Sequence, residues 1–234
     1  MIEAEWWEYD SLDELADAVA GDVGFIIESA VDARDASLIA LPGGKTGPAV
    51  YGRLAKQKLP WKKVTIIPTD DRLVAVDSQL SNVREIARAF LPLGARVVPM
   101  TSEAASDYKL AGNAADARLQ DLPWPPDLVW LGMGVDGHTA SIFTGADMQG
   151  ALEAPKARRA IGVMPDPLPA EAPVPRVTLT RASVLSARTI LIVITGDEKR
   201  ALLEQAIADG QSSKLPIGRV LAEIDQPIDI HWCP

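Results

Sequence analysis

Two histidines serve a chain of 234 residues, and only His138 stands where an imidazole could do chemistry. It ends the run Leu131-Gly132-Met133-Gly134-Val135-Asp136-Gly137-His138, in which three glycines crowd into six residues directly after an apolar, strand-like stretch. A histidine displayed on such a loop can exchange a proton near neutral pH, which suits a general base. The Gly-x-Gly-x-x-His spacing is not the dinucleotide fingerprint, because a histidine replaces the third glycine. His231 is the contrast. It lies inside the terminal run Ile228-Asp229-Ile230-His231-Trp232 and reads as structural.

Three further stretches carry polar groups that could converge on a ligand. Leu41-Pro42-Gly43-Gly44-Lys45-Thr46-Gly47 follows one strand-like run and precedes a helical segment. Paired glycines let backbone N–H groups approach an anion, a helix N-terminus adds its positive dipole end, and Lys45 and Thr46 add donors. The Walker spacing is absent, so the stretch is either an anion-binding loop or a plain turn between strand and helix. Thr69-Asp70-Asp71-Arg72 follows a second strand. Its carboxylates and guanidinium suit acid/base or carbonyl-polarising work, or an acidic helix cap beside a surface arginine. Ser81-Asn82, ten residues on, could cap a helix or touch a ligand. Arg176 opens Val177-Thr178-Leu179, and Lys199 lies in Thr195-Gly196-Asp197-Glu198-Lys199. Each alone reads as a solvated charge, yet with Lys45 and Arg72 they could form one anion site.

These stretches need a scaffold that brings them to one place. Apolar positions at helical spacing mark residues 11–33 (Leu12, Leu15, Val19, Val23, Ile26, Ile27, Ala30), and Ser11 with Glu14 reads as a capping box. Strand-like runs cover 37–41, 64–67, 97–98, 127–131, 188–194 and 228–232, with helices expected near 78–90, 103–119 and 197–208. The alternation implies an α/β fold: right-handed βαβ units and a mostly parallel sheet with helices on both faces. Such sheets bind ligands beyond the carboxyl ends of their strands, which singles out the loops after Leu41, Ile67, Leu131 and Ile194. Five prolines within 165–175 read as an extended surface connection and not as a domain boundary, since apolar residues resume at Val177. Trp6 and Trp7 are expected to tuck against the core.

Composition narrows the classes. Hydrophobic residues make up 47% and charged residues 24%, ordinary values for a soluble globule. One cysteine and two histidines argue against an internal disulfide framework and against a familiar zinc or multi-histidine centre. A net charge of −9 disfavours nucleic acid while leaving room for a small anionic ligand. No run reaches the roughly 18 apolar residues of a membrane helix, and the acidic N-terminal stretch lacks a signal-peptide layout. A cytoplasmic protein that meets neither membrane nor nucleic acid is expected.

In combination these stretches resemble the 6-phosphogluconolactonase family, within the superfamily that includes glucosamine-6-phosphate deaminase. LGMGVDGHTASIFTG resembles the family's most specific signature, and TDDRLVAVDSQLSN resembles its DER…SN block with Asp71 for the usual glutamate. PRVTLT and ITGDEKRALL follow in the expected order, so the match spans about residues 37–222. PGGKTG departs from the usual SGGSTP at Pro42, Lys45 and Gly47, a lysine partly offsetting the lost hydroxyls, and Thr144 stands where proline is common. The resemblance implies one domain over 1–234 with a modified Rossmann-like, glucosamine-6-phosphate deaminase-like fold. It implies cofactor-free hydrolysis of 6-phospho-D-glucono-1,5-lactone to 6-phosphogluconate in the oxidative pentose phosphate pathway. In the implied mechanism His138 is the base on a water, oriented by Asp136, and later returns the proton to the ring oxygen. Arg72 and glycine-loop N–H groups such as that of Gly134 would hold the oxyanion. Gly43, Gly44, Lys45 and Thr46, with Arg176 and Lys199, would hold the phosphate, and Asn82 completes the substrate set. The expected partner is a small phosphosugar lactone, met by a monomer or weak homodimer.

Three rivals differ in what they need. A deaminase/isomerase on the same fold would share the phosphate and Gly-His loops and use Asp70 as base; DDR and GHTASIF here differ from the DEY and GHIAFNEP of such enzymes. A non-catalytic sugar-phosphate-binding module has no need of His138 with Arg72. A nucleotide-dependent dehydrogenase would retain NAD on purification.

Overall fold

Runs that are apolar at nearly every position form strands buried on both faces. Such strands are β2 (Ser37–Leu41), β3 (Val64–Pro68), β6 (Leu128–Leu131) and β9 (Ile190–Thr195). With β1 (Ala4–Glu8), β5 (Arg96–Val97) and β10 (Ile228–Cys233) they make one seven-stranded sheet in the order β1-β10-β9-β6-β2-β3-β5. Every pairing in it is parallel. The computed structural model describes residues 2–101 and 107–234. Alternate residues of β2 face opposite cores: Leu38 and Ala40 pack into one, Ile39 and Leu41 into the other. The second core is closed by α1 (Leu12–Arg34), α2 (Gly47–Leu54) and α3 (Asn82–Phe90). The first is closed by α4 (Tyr108–Gln120), α5 (Met148–Leu152), α6 (Arg181–Leu185), α7 (Asp197–Asp209) and α8 (Pro216–Leu221).

The chain grows from β2 through β3 to β5 on one side and from β6 through β9 to β10 on the other, where the N-terminal β1 adds the outer edge. The strand order therefore reverses between β2 and β6, and the crevice beyond their carboxyl ends is the switch point where such sheets take ligands. The loops of both the glycine pair and His138 open there.

The main departure from the expected pattern is a second, antiparallel sheet, in the order β4 (Asp70–Arg72), β8 (Arg176–Leu179), β7 (Ala160–Val163). It hangs from the end of β3, where the Leu179 N–H bonds the Thr69 carbonyl at 2.9 Å. The apolar run at Val177 thus belongs to this small sheet and not to the parallel one. The proline-rich connection before it is not purely a surface strap: Ala172 is fully buried and its carbonyl accepts from Arg176 at 3.3 Å.

Capping residues set the helix boundaries. Ser11 Oγ accepts from the Glu14 N–H at 3.2 Å, while the Glu14 carboxylate reaches the Asp10 N–H, one residue earlier than in a standard capping box. α3 begins four residues later than the apolar spacing suggests, because Ser81 is its cap, accepting from the Arg84 N–H. α4 begins at Tyr108 with Asp107 as cap; the part of the expected helix over 103–106 lies outside the described residues. β9 begins two residues later than expected, and β1, not foreseen as a strand, pairs along β10. Trp6 packs against the core, but Trp7 is half exposed, its indole N–H on Asp229. No helix among the described residues is long and apolar enough to cross a membrane.

Candidate active site

The site begins with the register of β4 on β8, which pairs Asp70 with Thr178, Asp71 with Val177 and Arg72 with Arg176. Side chains alternate, so Asp70, Arg72, Arg176 and Thr178 share one face and Asp71 points to the other. Asp71 is a structural anchor. Its carboxylate accepts the N–H groups of Arg72, Asn82 and Val83 at 2.9, 2.7 and 3.1 Å and the Ser81 hydroxyl at 3.2 Å. It thereby pins the start of α3 to β4. Burial pushes its carboxyl up to about 6, against the downward pull of those N–H groups. Asp70 is also engaged, accepting from Thr69 Oγ1 at 3.1 Å and from Ser141 Oγ at 2.5 Å. The second bond ties the Asp-Asp-Arg strand to the His138 loop.

Arg72 donates from Nη1 to Asn82 Oδ1 at 2.5 Å and to the Leu80 carbonyl at 3.2 Å. Asn82 in turn donates to the Asp70 carbonyl at 2.8 Å. It lies so close over Gly43 that a Cβ there would overlap its side-chain amide. Strand, helix start and glycine loop are thus interlocked. Beneath that loop the buried Tyr51 hydroxyl donates to the Pro42 carbonyl. Thr46 caps α2 without using its hydroxyl, and Lys45 is exposed above it.

Arg176, only 2% exposed, faces Arg72 across the ladder. Like charges directly opposite on two strands repel. Among the described residues the buried Nε atoms of both arginines find no acceptor. Burial, and then the charge of Arg72, depress the basicity of Arg176, partly offset by Asp70. Lys199, in the first turn of α7, is likewise held below the usual ammonium range, first by burial and next by Lys45. Asp136 acts on both Lys199 and Arg176, so these charges share one field. An excess of buried or half-buried cations at a switch point calls for an anion.

The His138 loop closes on itself through Gly134 N–H to the His138 carbonyl at 2.9 Å and Gly137 N–H to the Gly134 carbonyl at 3.0 Å. A side chain at Gly134 would overlap the imidazole. His138 Nδ1 lies 2.5 Å from Asp136 Oδ1, which also takes the His138 backbone N–H at 3.2 Å. Burial works to raise the Asp136 carboxyl, but the His138 contacts outweigh it and hold the group below the usual range. With Nδ1 committed to Asp136, Nε2 is the nitrogen left for a substrate. Ala140 takes a left-handed φ of 48°, and the loop is fixed on both sides of it. Thr139 Oγ1 donates to the Gly132 carbonyl at 2.8 Å, and the Ser141 N–H to Thr178 Oγ1 at 3.1 Å.

Of the residues singled out in the sequence, Asp70, Arg72, Asn82 and Gly43 interlock, Asp136 pairs with His138, and Arg176 and Lys199 feel the charge of Asp136. His231 stands apart: it is buried at the far strand pair, with Tyr9 Oη 2.9 Å from its Nδ1. The sequence reading missed Ser141, Thr178, Tyr51 and Phe143. Phe143 stacks on the imidazole, with ring centroids 4.2 Å apart, and carries the Arg176 guanidinium 5.1 Å from its centroid. Among the described residues no cluster of three or more His, Cys, Asp or Glu side chains is arranged to hold a metal ion.

The family model described as glucosamine-6-phosphate isomerases/6-phosphogluconolactonase matches residues 10–232. A 6-phosphogluconolactonase of Rhizobium meliloti is 36% identical over 230 residues, 97% of either chain. One of Mesorhizobium japonicum is 36% identical over 235 residues, 98% of this chain and 95% of its own. The crystal structure of a 6-phosphogluconolactonase from Shewanella baltica superposes with a TM-score of 0.90 at 28% identity, covering 99% of this chain and 98% of that one. Sequence and fold agree over nearly the whole length, the four loops of the crevice included: the chain belongs to the glucosamine-6-phosphate isomerase/6-phosphogluconolactonase family.

Proposed function

We propose that this protein is a 6-phosphogluconolactonase, a hydrolase of the pentose phosphate pathway that opens 6-phospho-D-glucono-1,5-lactone to 6-phosphogluconate. The observation that carries the reading is the imidazole of His138, fixed by Asp136 and one aromatic ring away from the buried Arg176, whose Nε, like that of Arg72 opposite it, has no acceptor among the described residues. Nε2 of His138 takes a proton from water as the water oxygen bonds to C1 of the lactone. Negative charge gathers on the former carbonyl oxygen, for which Arg72 and loop N–H groups such as that of Gly134 are the donors. Collapse breaks the bond from C1 to the ring oxygen, and the imidazolium returns its proton to that oxygen. Gly43, Gly44, Lys45 and Thr46, with Arg176 and Lys199, hold the phosphate, and Asn82 keeps Arg72 aimed. Anchoring the remote phosphate orients the reacting end.

Asp70 supports this reading over a deaminase. Both its oxygens already accept hydroxyl groups, which suits a residue that joins two loops better than a free base. The whole chain reads as one domain, working in the cytoplasm without a cofactor as a monomer or weak homodimer, since one chain supplies every group named. The test is a coupled assay on freshly generated 6-phosphogluconolactone, corrected for spontaneous hydrolysis. Turnover above the spontaneous rate is expected. Replacing Arg176 or Lys199 by alanine is expected to weaken the phosphorylated substrate about tenfold or more and to leave unphosphorylated gluconolactone nearly unaffected. Ammonia release from glucosamine 6-phosphate, abolished by Asp70→Asn, would overturn the assignment.

A further inference from the structure

We propose that Phe143 is the positioning residue of the base: its ring fixes the plane of the His138 imidazole and strengthens its hold as the imidazole takes a proton. The proposal rests on His138 being the base. The Asp136 bond fixes one edge of the imidazole but leaves the ring free to swing about that contact. Phe143 removes the freedom, lying 4.2 Å away at 21° to it. A neutral imidazole gains only dispersion from this stack. An imidazolium also gains attraction to the negative face of the ring. The contact is therefore stronger in the transition state than in the resting enzyme, the condition for raising kcat and not merely affinity. The same ring also carries the Arg176 guanidinium, 5.1 Å from its centroid. Phe143 is itself held, because Ile142 before it is buried and bonded to the Thr139 carbonyl at 2.9 Å.

The experiment compares Phe143→Leu and Phe143→Tyr with wild type and with His138→Ala, on both phosphorylated and unphosphorylated lactone. Proton NMR of the His138 Cε1–H accompanies the kinetics. With only two histidines in the chain, that signal is assigned by its loss in His138→Ala. The ring current of Phe143 should move it upfield. Phe143→Leu is expected to lower kcat roughly five- to thirtyfold on both substrates with little change in KM, and to abolish the upfield displacement. Phe143→Tyr should restore both. Phe143→Met repeats the measurement should the leucine variant fail to fold. Unchanged kcat in the aliphatic variant, with His138→Ala inactive, overturns the role of Phe143 and leaves the base intact. A tyrosine variant as slow as the leucine one overturns it as well, since the aromatic face would then not matter. An active His138→Ala removes the base, and this proposal with it.

Discussion

A lone imidazole on a glycine loop is a poor base until something fixes it, and here Asp136 holds its Nδ1 edge and Phe143 its face, while Gly134 leaves room for the ring. His138→Ala is expected to fold normally and lose on the order of 10²–10⁴ in kcat. Asp136→Asn, which removes only the orienting charge, should lose about tenfold to a hundredfold; steady-state kinetics that ranked the two in reverse would contradict the roles. Arg72 uses its Nη1 on Asn82 and Leu80 and keeps a buried Nε unpaired. Arg72→Lys keeps the charge but cannot reproduce the fork, so it should lower kcat more than it raises KM. Asp70→Asn should be the milder lesion in lactone hydrolysis, because one amide oxygen still accepts the Ser141 hydroxyl. The candidates for these roles were legible in the sequence, since His138, Arg72 and the Gly43–Gly44 pair each come directly after a strand-like run. Phe143 and Ser141 were not. Phe143 meets Arg176 on β8, and Ser141 meets Asp70 across 71 positions, contacts that no local spacing encodes.

The elements differ in legibility for a physical reason. Strands buried on both faces announce themselves as largely apolar runs, and β2, β3, β6 and β9 were read to within a residue or two at each end, as was the more mixed β10. β4 has only three residues, all charged, and no apolar period at all. β1 sits at the sheet edge with acidic residues among its tryptophans. Yet β4 and the start of α3 are what aim Arg72. Ser81 caps α3 and donates to Asp71, so Ser81→Ala should cost about 1 kcal/mol of stability, a fall in melting temperature of about 2–4 °C for a chain of this size. Gly43→Ala acts on the same unit differently. Its Cβ must displace the Asn82 amide and so release Arg72, costing activity more than stability. Thermal melts run beside kinetics separate the two; a Gly43→Ala enzyme with wild-type kcat and KM would show that the interlock is not needed.

At the scale of the whole molecule, two buried groups far from each other set opposing responses to acid. His231 sits under the β1–β10 edge, stacked on Tyr9 and 3.5 Å from Asp22, and is 1% exposed. Burial, opposed only by Asp229, depresses its imidazole from 6.5 to about 4. Between those values the unfolded chain binds a proton that the folded chain refuses, so stability falls as pH drops from about 6.5 to about 4. At roughly 1.4 kcal/mol for each pH unit, the loss is on the order of 3 kcal/mol. Asp71 works the other way. Its carboxyl is raised from 3.8 to about 6, so the folded chain takes the proton first and stability rises as pH falls through nearly the same window. The two slopes largely cancel in the wild type. His231→Gln keeps a polar partner for Tyr9 and removes one of them, so its stability relative to wild type should climb steadily from pH 6.5 to pH 4. Urea unfolding of both proteins at pH 4.5, 5.5 and 6.5 measures this directly, because every other carboxylate is common to the pair and drops out of the difference. A difference that stays constant across the three pH values would mean that His231 titrates in the folded chain as it does in the unfolded one.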